Sequence, residues 1–299
     1  MGELHSIRGK EIYVERQGDP SSPPLVYLHG GPGSSCYDFM SVQGERLRES
    51  LYLIGMDQRG VLRSEMLDED EKLSPDDIVE DAEELRRMLG ISSWSVLGHS
   101  FGGFLAALYA SKYPQSIDRL IFESPGFDFH LTLNSLLKQA SVIFESKNQS
   151  QEAEKTREQV QSNLETPRLM EVWLETGGKL GKDRESLYFY GPQKDFFETL
   201  FSKAPVEIQN RLQQTQSHFT KLHEEQTMYK SVLNDLTELP HPSLIITSNH
   251  DFVFCEKQHE FVRDKVGNAK IITFNQSGHF PRIEEPVKYA RVVKEFLLK

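Results

Sequence analysis

The stretch Trp94-Ser95-Val96-Leu97-Gly98-His99-Ser100-Phe101-Gly102-Gly103 decides the fold. It opens on an apolar run suited to a buried strand, turns through Gly-x-Ser-x-Gly at positions 98–102, and continues as a helical pattern from about Gly103. Strand, tight turn and helix in that order form a nucleophile elbow, in which a strained turn lifts the serine clear of a sheet. The flanking glycines let backbone segments approach where a Cβ would collide. A serine that merely caps a helix needs no partners. A nucleophilic serine needs a base within hydrogen-bond reach and an acid to orient that base.

On either side of the elbow, short apolar runs alternate with helical patterns, the mark of parallel strands joined by crossover helices. Leu25-Val26-Tyr27-Leu28, Leu51-Tyr52-Leu53-Ile54, Leu120-Ile121-Phe122, Leu244-Ile245-Ile246 and Ile271-Ile272-Thr273-Phe274 read as strands of one sheet covered on both faces. The opening segment Met1-Gly2-Glu3-Leu4-His5-Ser6 reads as a first strand, and a closing helix runs from about Pro286 to Leu298. Between residues 127 and 236 strand signals vanish and the composition turns helical, polar and charged. A structureless loop of that length is implausible in a compact domain. The expected organisation is a core over residues 1–126 and 237–299 with an inserted helical cap over 127–236.

The partners of Ser100 are sought on loops after late strands, because the chain order in this architecture is serine, acid, histidine. Asp251 follows the Leu244-Ile245-Ile246 run and His279 follows the Ile271-Ile272-Thr273-Phe274 run, both at strand ends. His250 reads as an ordinary loop residue. An oxyanion needs hydrogen-bond donors where its charge develops. The backbone N–H of Phe101 is one candidate, and that of Gly31, in His29-Gly30-Gly31-Pro32-Gly33, is the other.

Three motifs, His29-Gly30-Gly31-Pro32-Gly33, Asp57-Gln58-Arg59-Gly60 and Gly98-His99-Ser100-Phe101-Gly102-Gly103, together with the late Asp and His, resemble the proline iminopeptidase branch of the α/β-hydrolase superfamily. The resemblance implies an α/β-hydrolase fold, a mostly parallel sheet flanked by helices with a helical cap. It implies acyl transfer to water through an acyl-serine, release of an N-terminal amino acid from small peptides, and no metal or organic cofactor. Two departures stand out. Leu62 occupies the place of the second glycine in Asp57-Gln58-Arg59-Gly60-Val61-Leu62-Arg63-Ser64, and Phe252, not a glutamate, follows Asp251. Members that trim amino termini hold the substrate ammonium with glutamates, and the cap offers Glu171 and Glu175 around Trp173, and Glu224 and Glu225 before Tyr229. The aromatics Trp173, Phe196, Phe197 and residues 188–190 either line an acyl pocket or pack the cap onto the core.

Composition narrows the partners. The 299 residues carry 34 Lys and Arg against 45 Asp and Glu, a net charge of −11, and so lack the basic footprint of a nucleic-acid binder. No run of apolar residues is long enough for a membrane span or a signal-peptide core, so a cytoplasmic protein is expected. Cys36 and Cys255 are too few for a disulfide framework. His218 and His223 are spaced too far apart to share a helix face, and no His-Glu-x-x-His occurs. The Gly30 loop lacks the third glycine of a dinucleotide site, and serine in place of aspartate at the elbow sets aside dehalogenase and epoxide hydrolase chemistry. Three readings stay open: an aminopeptidase or amidase on short peptides, a carboxylesterase or lactonase with the same triad, and a non-catalytic small-molecule binder.

Overall fold

The computed structural model describes residues 2–299; Met1, the first residue of the expected opening strand, lies outside them. The chain begins with β1 (Gly2–Ile7), β2 (Lys10–Gln17), β3 (Pro24–Leu28), α1 (Tyr37–Leu47), β4 (Tyr52–Met56) and α2 (Pro75–Met88). It continues with β5 (Trp94–His99), α3 (Phe101–Lys112) and β6 (Ile117–Glu123). The helices α4 (Phe129–Ser146), α5 (Ser150–Gln161), α6 (Thr166–Leu180), α7 (Phe196–Ser202), α8 (Val206–Arg211) and α9 (Gln216–Glu225) follow. The last part is β7 (Ser243–Ser248), α10 (Glu256–Lys265), β8 (Ala269–Phe274), α11 (Pro281–Glu284) and α12 (Pro286–Leu297).

The eight strands form one sheet in the order β1-β2-β4-β3-β5-β6-β7-β8. β1 and β2 are antiparallel additions at one edge, and every pairing from β4 to β8 is parallel. This is the mostly parallel sheet that the resemblance implied. The chain moves from β3 out to β4 and then back across β3 to β5, so the direction of strand succession reverses between β3 and β5. Ligands of open α/β sheets gather at such a point, beyond the carboxyl ends of the strands. The loops that open there are those beginning at His29 and Ser100.

Burial explains why these runs became strands. Every residue of β4, β5 and β7 is buried, as expected when both faces of a strand are covered. Alternate residues serve two cores. Val26, Leu28, Ile54 and Val96 face the side of α2 and α3, packing with Ile78, Leu85, Phe104 and Leu105. Leu25, Tyr27, Leu53 and Leu97 face α1 and α12, packing with Phe39, Leu47, Tyr289 and Val293. α2 starts at a capping box in which Ser74 Oγ accepts from Asp77 N–H and Asp77 Oδ2 accepts from Ser74 N–H. β2 was not read from the sequence, because only Ile12 and Val14 are fully buried among polar neighbours.

Between β6 and β7 the described residues form helices and turns and no strand. α5 and α6 both pack on α4, and Leu133, Leu136, Met170 and Trp173 join the same apolar cluster as α3. Among the described residues no helix is long and apolar enough to cross a membrane.

Candidate active site

The turn after β5 is tight enough to force Ser100 to φ 55° and ψ −118°. That region is disfavoured for any residue with a Cβ and costs on the order of 1–3 kcal/mol, which the surroundings must offset. They do so through three backbone bonds. Ser100 N–H donates to Glu123 O at 3.0 Å, while Ser100 O accepts from Gly103 N–H at 2.9 Å and Gly126 N–H at 3.1 Å. The two motif glycines are required by close approach. A Cβ on Gly98 would stand 2.1 Å from Gly102 O, and one on Gly102 would stand 1.9 Å from Leu28 O. The turn therefore packs directly against the end of β3.

That contact brings in the loop after β3. A Cβ on Gly30 would meet Ser100 Cβ at 2.8 Å, and Gly31 adopts φ 110°, with Gly33 N only 2.6 Å from where its own Cβ would be. Gly31, Ser100 and Phe101 line one cavity of about 470 Å³. Phe101 is the first residue of α3, where no preceding turn offers its N–H an acceptor.

The Asp57-Gln58-Arg59-Gly60 motif braces this loop from behind. Gln58 N–H donates to His29 Nε2 at 3.1 Å, and its side-chain amide donates to His29 O at 3.0 Å. Arg63 Nε donates to Asp57 Oδ2 at 2.7 Å, and Arg59 Nε to Asp81 Oδ2 at 2.6 Å. Leu62, in the place of the family's glycine, is buried and keeps a glycine-like φ of 41°.

His279 and Asp251 arrive from the far side of the sheet. His279 Nδ1 lies 3.1 Å from Asp251 Oδ1, both side chains are buried, and His279 lines the cavity. Asp251 is fixed in turn by Val253 N–H, which donates to the same oxygen at 2.9 Å. The His279 loop is held by its own N–H, which donates to Tyr188 O at 2.6 Å, and by Gly278 N–H, which donates to Glu284 Oε2 at 2.7 Å. A Cβ on Gly278 would stand 2.4 Å from Tyr188 O, so that approach demands glycine. His250 lies outside this arrangement, stacked on Tyr190 with ring centroids 3.6 Å apart.

A buried polar layer that the sequence reading missed lies beneath. The His99 ring sits 4.6 Å from that of His279, and His99 Nδ1 is 3.7 Å from Glu123 Oε2. Arg282 bridges Asp38 and Glu123, each at 3.0 Å, and Tyr289 OH donates to Glu123 at 3.0 Å. Burial, then the Arg282 charge, then His279 push the His99 pKa well below the ordinary imidazole value, so the ring stays neutral. Its place inside the elbow motif was the one available signal.

The carboxylates expected to face substrate do not line the cavity. Glu171 pairs with Arg168, Glu175 lies between Lys155 and Lys179 at 3.0 and 3.1 Å, and Glu225 lies 3.2 Å from Lys72. Glu224 is exposed. Trp173 does line the cavity, with Tyr188 and Phe197, whereas Phe196 meets Phe197 edge-to-face from outside the lining. The carboxylate among the described lining residues is Glu185, in a short 3₁₀ helix over Gly181–Leu187 beside Arg184. Burial pushes the Glu185 pKa up, against the pull of Arg184. Among the described residues no group of three His, Cys, Asp or Glu side chains is placed to hold a metal ion.

Residues 23–286 match the family described as the alpha/beta hydrolase fold. The chain belongs to that family. Among relatives of this α/β-hydrolase, the proline iminopeptidase of Heyndrickxia coagulans is 28% identical over 301 residues, covering 99% of this chain and 98% of that one. The proline iminopeptidase of Neisseria gonorrhoeae is 36% identical over 125 residues, which take in 40% of this chain and 37% of that one. Several such relatives are matched over only 34–39% of their length. Among solved structures, the proline iminopeptidase-related protein of Thermus thermophilus superposes with a TM-score of 0.74 at 23% identity, over 100% of this chain and 97% of that one. At that identity the likeness speaks for the fold.

Proposed function

We propose that this α/β-hydrolase is a serine hydrolase working through an acyl-enzyme on small substrates, short peptides with a free amino terminus first among them. The observation that carries the reading is one cavity faced by both Ser100 and His279, with Asp251 3.1 Å behind the imidazole.

His279 Nε2 takes the proton of Ser100 as Oγ attacks the substrate carbonyl. Asp251 accepts from Nδ1–H, which fixes the tautomer and stabilises the imidazolium. The N–H groups of Gly31 and Phe101 stabilise the oxyanion, a contribution of about 3–4 kcal/mol per donor in comparable enzymes. His279 then protonates the leaving group, and water repeats the cycle on the acyl-serine. Residues 127–236 act as the cap, supplying Trp173 and Tyr188 to the cavity wall. In the aminopeptidase reading Glu185 takes the ammonium-holding role expected of Glu171, Glu175, Glu224 and Glu225. The names of the relatives support that specificity.

A carboxylesterase or lactonase is the second reading, favoured by the apolar wall of Phe129, Leu133, Leu136 and Met170. Prolyl and other amino-acyl anilides, their N-acetylated counterparts and simple acyl esters separate the two. The aminopeptidase reading expects turnover of the free-amine anilides and its loss on acetylation. Equal turnover of blocked substrates contradicts it and leaves the esterase.

A further inference from the structure

Arg184 is the only permanently cationic side chain among the described cavity-lining residues. Its Cζ lies 5.5 Å from the centroid of the Trp173 ring and 5.9 Å from that of Tyr188. Those distances are within cation–π range and fix the planar guanidinium against two rigid walls. Tyr188 connects this group to the reaction centre, since its ring is also 5.7 Å from that of His279. One aromatic ring therefore separates the guanidinium from the imidazole.

Three arginines whose side chains are nearly covered sit on carboxylates, Arg59 on Asp81, Arg63 on Asp57, and Arg282 on Asp38 and Glu123, whereas Arg184 is half-buried. Arg184 differs. Among the described residues no carboxylate oxygen lies within 4.0 Å of its guanidinium, not even that of the adjacent Glu185. In a chain with 45 acidic against 34 basic side chains, an arginine facing a cavity without an acid partner has its ion-pairing capacity left for a ligand. Arginine's fork of N–H donors matches a carboxylate in bidentate fashion.

We infer that Arg184 recognises a carboxylate on the substrate, so that the cavity selects short substrates ending in a free acid group, dipeptides above all. The inference rests on the hydrolase reading of the same cavity and deepens it. A cavity of about 470 Å³ is of small-molecule size. It carries both charges a zwitterionic dipeptide needs, Arg184 for the carboxylate and Glu185 for the ammonium.

The test measures binding, so that it does not depend on turnover. Calorimetric titration of the Ser100→Ala protein compares Pro-Gly with prolyl-glycinamide, and N-acetylglycine with N-acetylglycinamide, which lack an amino group. Each acid is expected to bind at least about 10-fold tighter than its amide, the scale of a charge-assisted pair. Arg184→Gln removes that ratio and Arg184→Lys keeps part of it. Equal binding of acid and amide, no binding of any acid, or a ratio that survives in Arg184→Gln overturns the proposal. The acid-to-amide comparison keeps it falsifiable even where a variant fails to fold. Acid binding without turnover by the wild-type protein would instead count against the hydrolase reading.

Discussion

His279 presents Nδ1 to Asp251 at 3.1 Å while its ring lines the cavity that Ser100 also faces. The carboxylate therefore fixes the ring without reaching the substrate. Asp251→Asn preserves the shape and removes the charge. The expected result is a fall in kcat of about 10³- to 10⁴-fold with KM changed far less, because the wrong tautomer is favoured. Steady-state kinetics on the best substrate of the anilide and ester panel checks this, and a kcat within 10-fold of wild type would speak against the assignment.

Arg282 supports two buried acids, Asp38 and Glu123, beneath the site. Removing one partner of a buried ion pair leaves uncompensated charge and costs about 3–5 kcal/mol. Arg282→Met should lower the unfolding free energy by about that amount in urea titration, while a loss under 1 kcal/mol would mean the network contributes little.

His218, buried on α9 with Nδ1 2.8 Å from Arg59 O, has its pKa pushed down to about 3, chiefly by burial. In the unfolded chain it titrates near the ordinary value of about 6.5. Above that pH both states are neutral and the group contributes no pH dependence. As pH falls from about 6.5 towards 3, the unfolded chain takes up a proton that the folded state refuses, so stability drops. The slope is about 1.4 kcal/mol per pH unit for one proton. His218→Gln should flatten the plot of unfolding free energy against pH between about 4 and 6 by close to that amount. An unchanged slope would place the acid sensitivity elsewhere.

The central strands were legible because burial on both faces leaves a continuous apolar run, as in Leu25-Val26-Tyr27-Leu28 and Leu244-Ile245-Ile246. The elbow was legible because close approach admits only glycine at 98 and 102. What the sequence hid is long-range or aperiodic. Arg282 meets Glu123 across 159 positions, a pairing no local pattern announces. Glu185 and Arg184 lie in a short 3₁₀ helix of mostly polar residues, so no apolar stripe marks which side chains turn inward. Glu175, by contrast, looked available until Lys155 and Lys179 closed around it.

Covalent labelling with a fluorophosphonate, followed by intact-mass and peptide analysis, tests the nucleophilic role of Ser100 most directly. A single adduct on Ser100 is expected in the wild-type protein, absent in Ser100→Ala and slowed by at least about 10³-fold in His279→Ala, where the base is gone. A wild-type protein that does not label, or an adduct on another residue, would contradict that role.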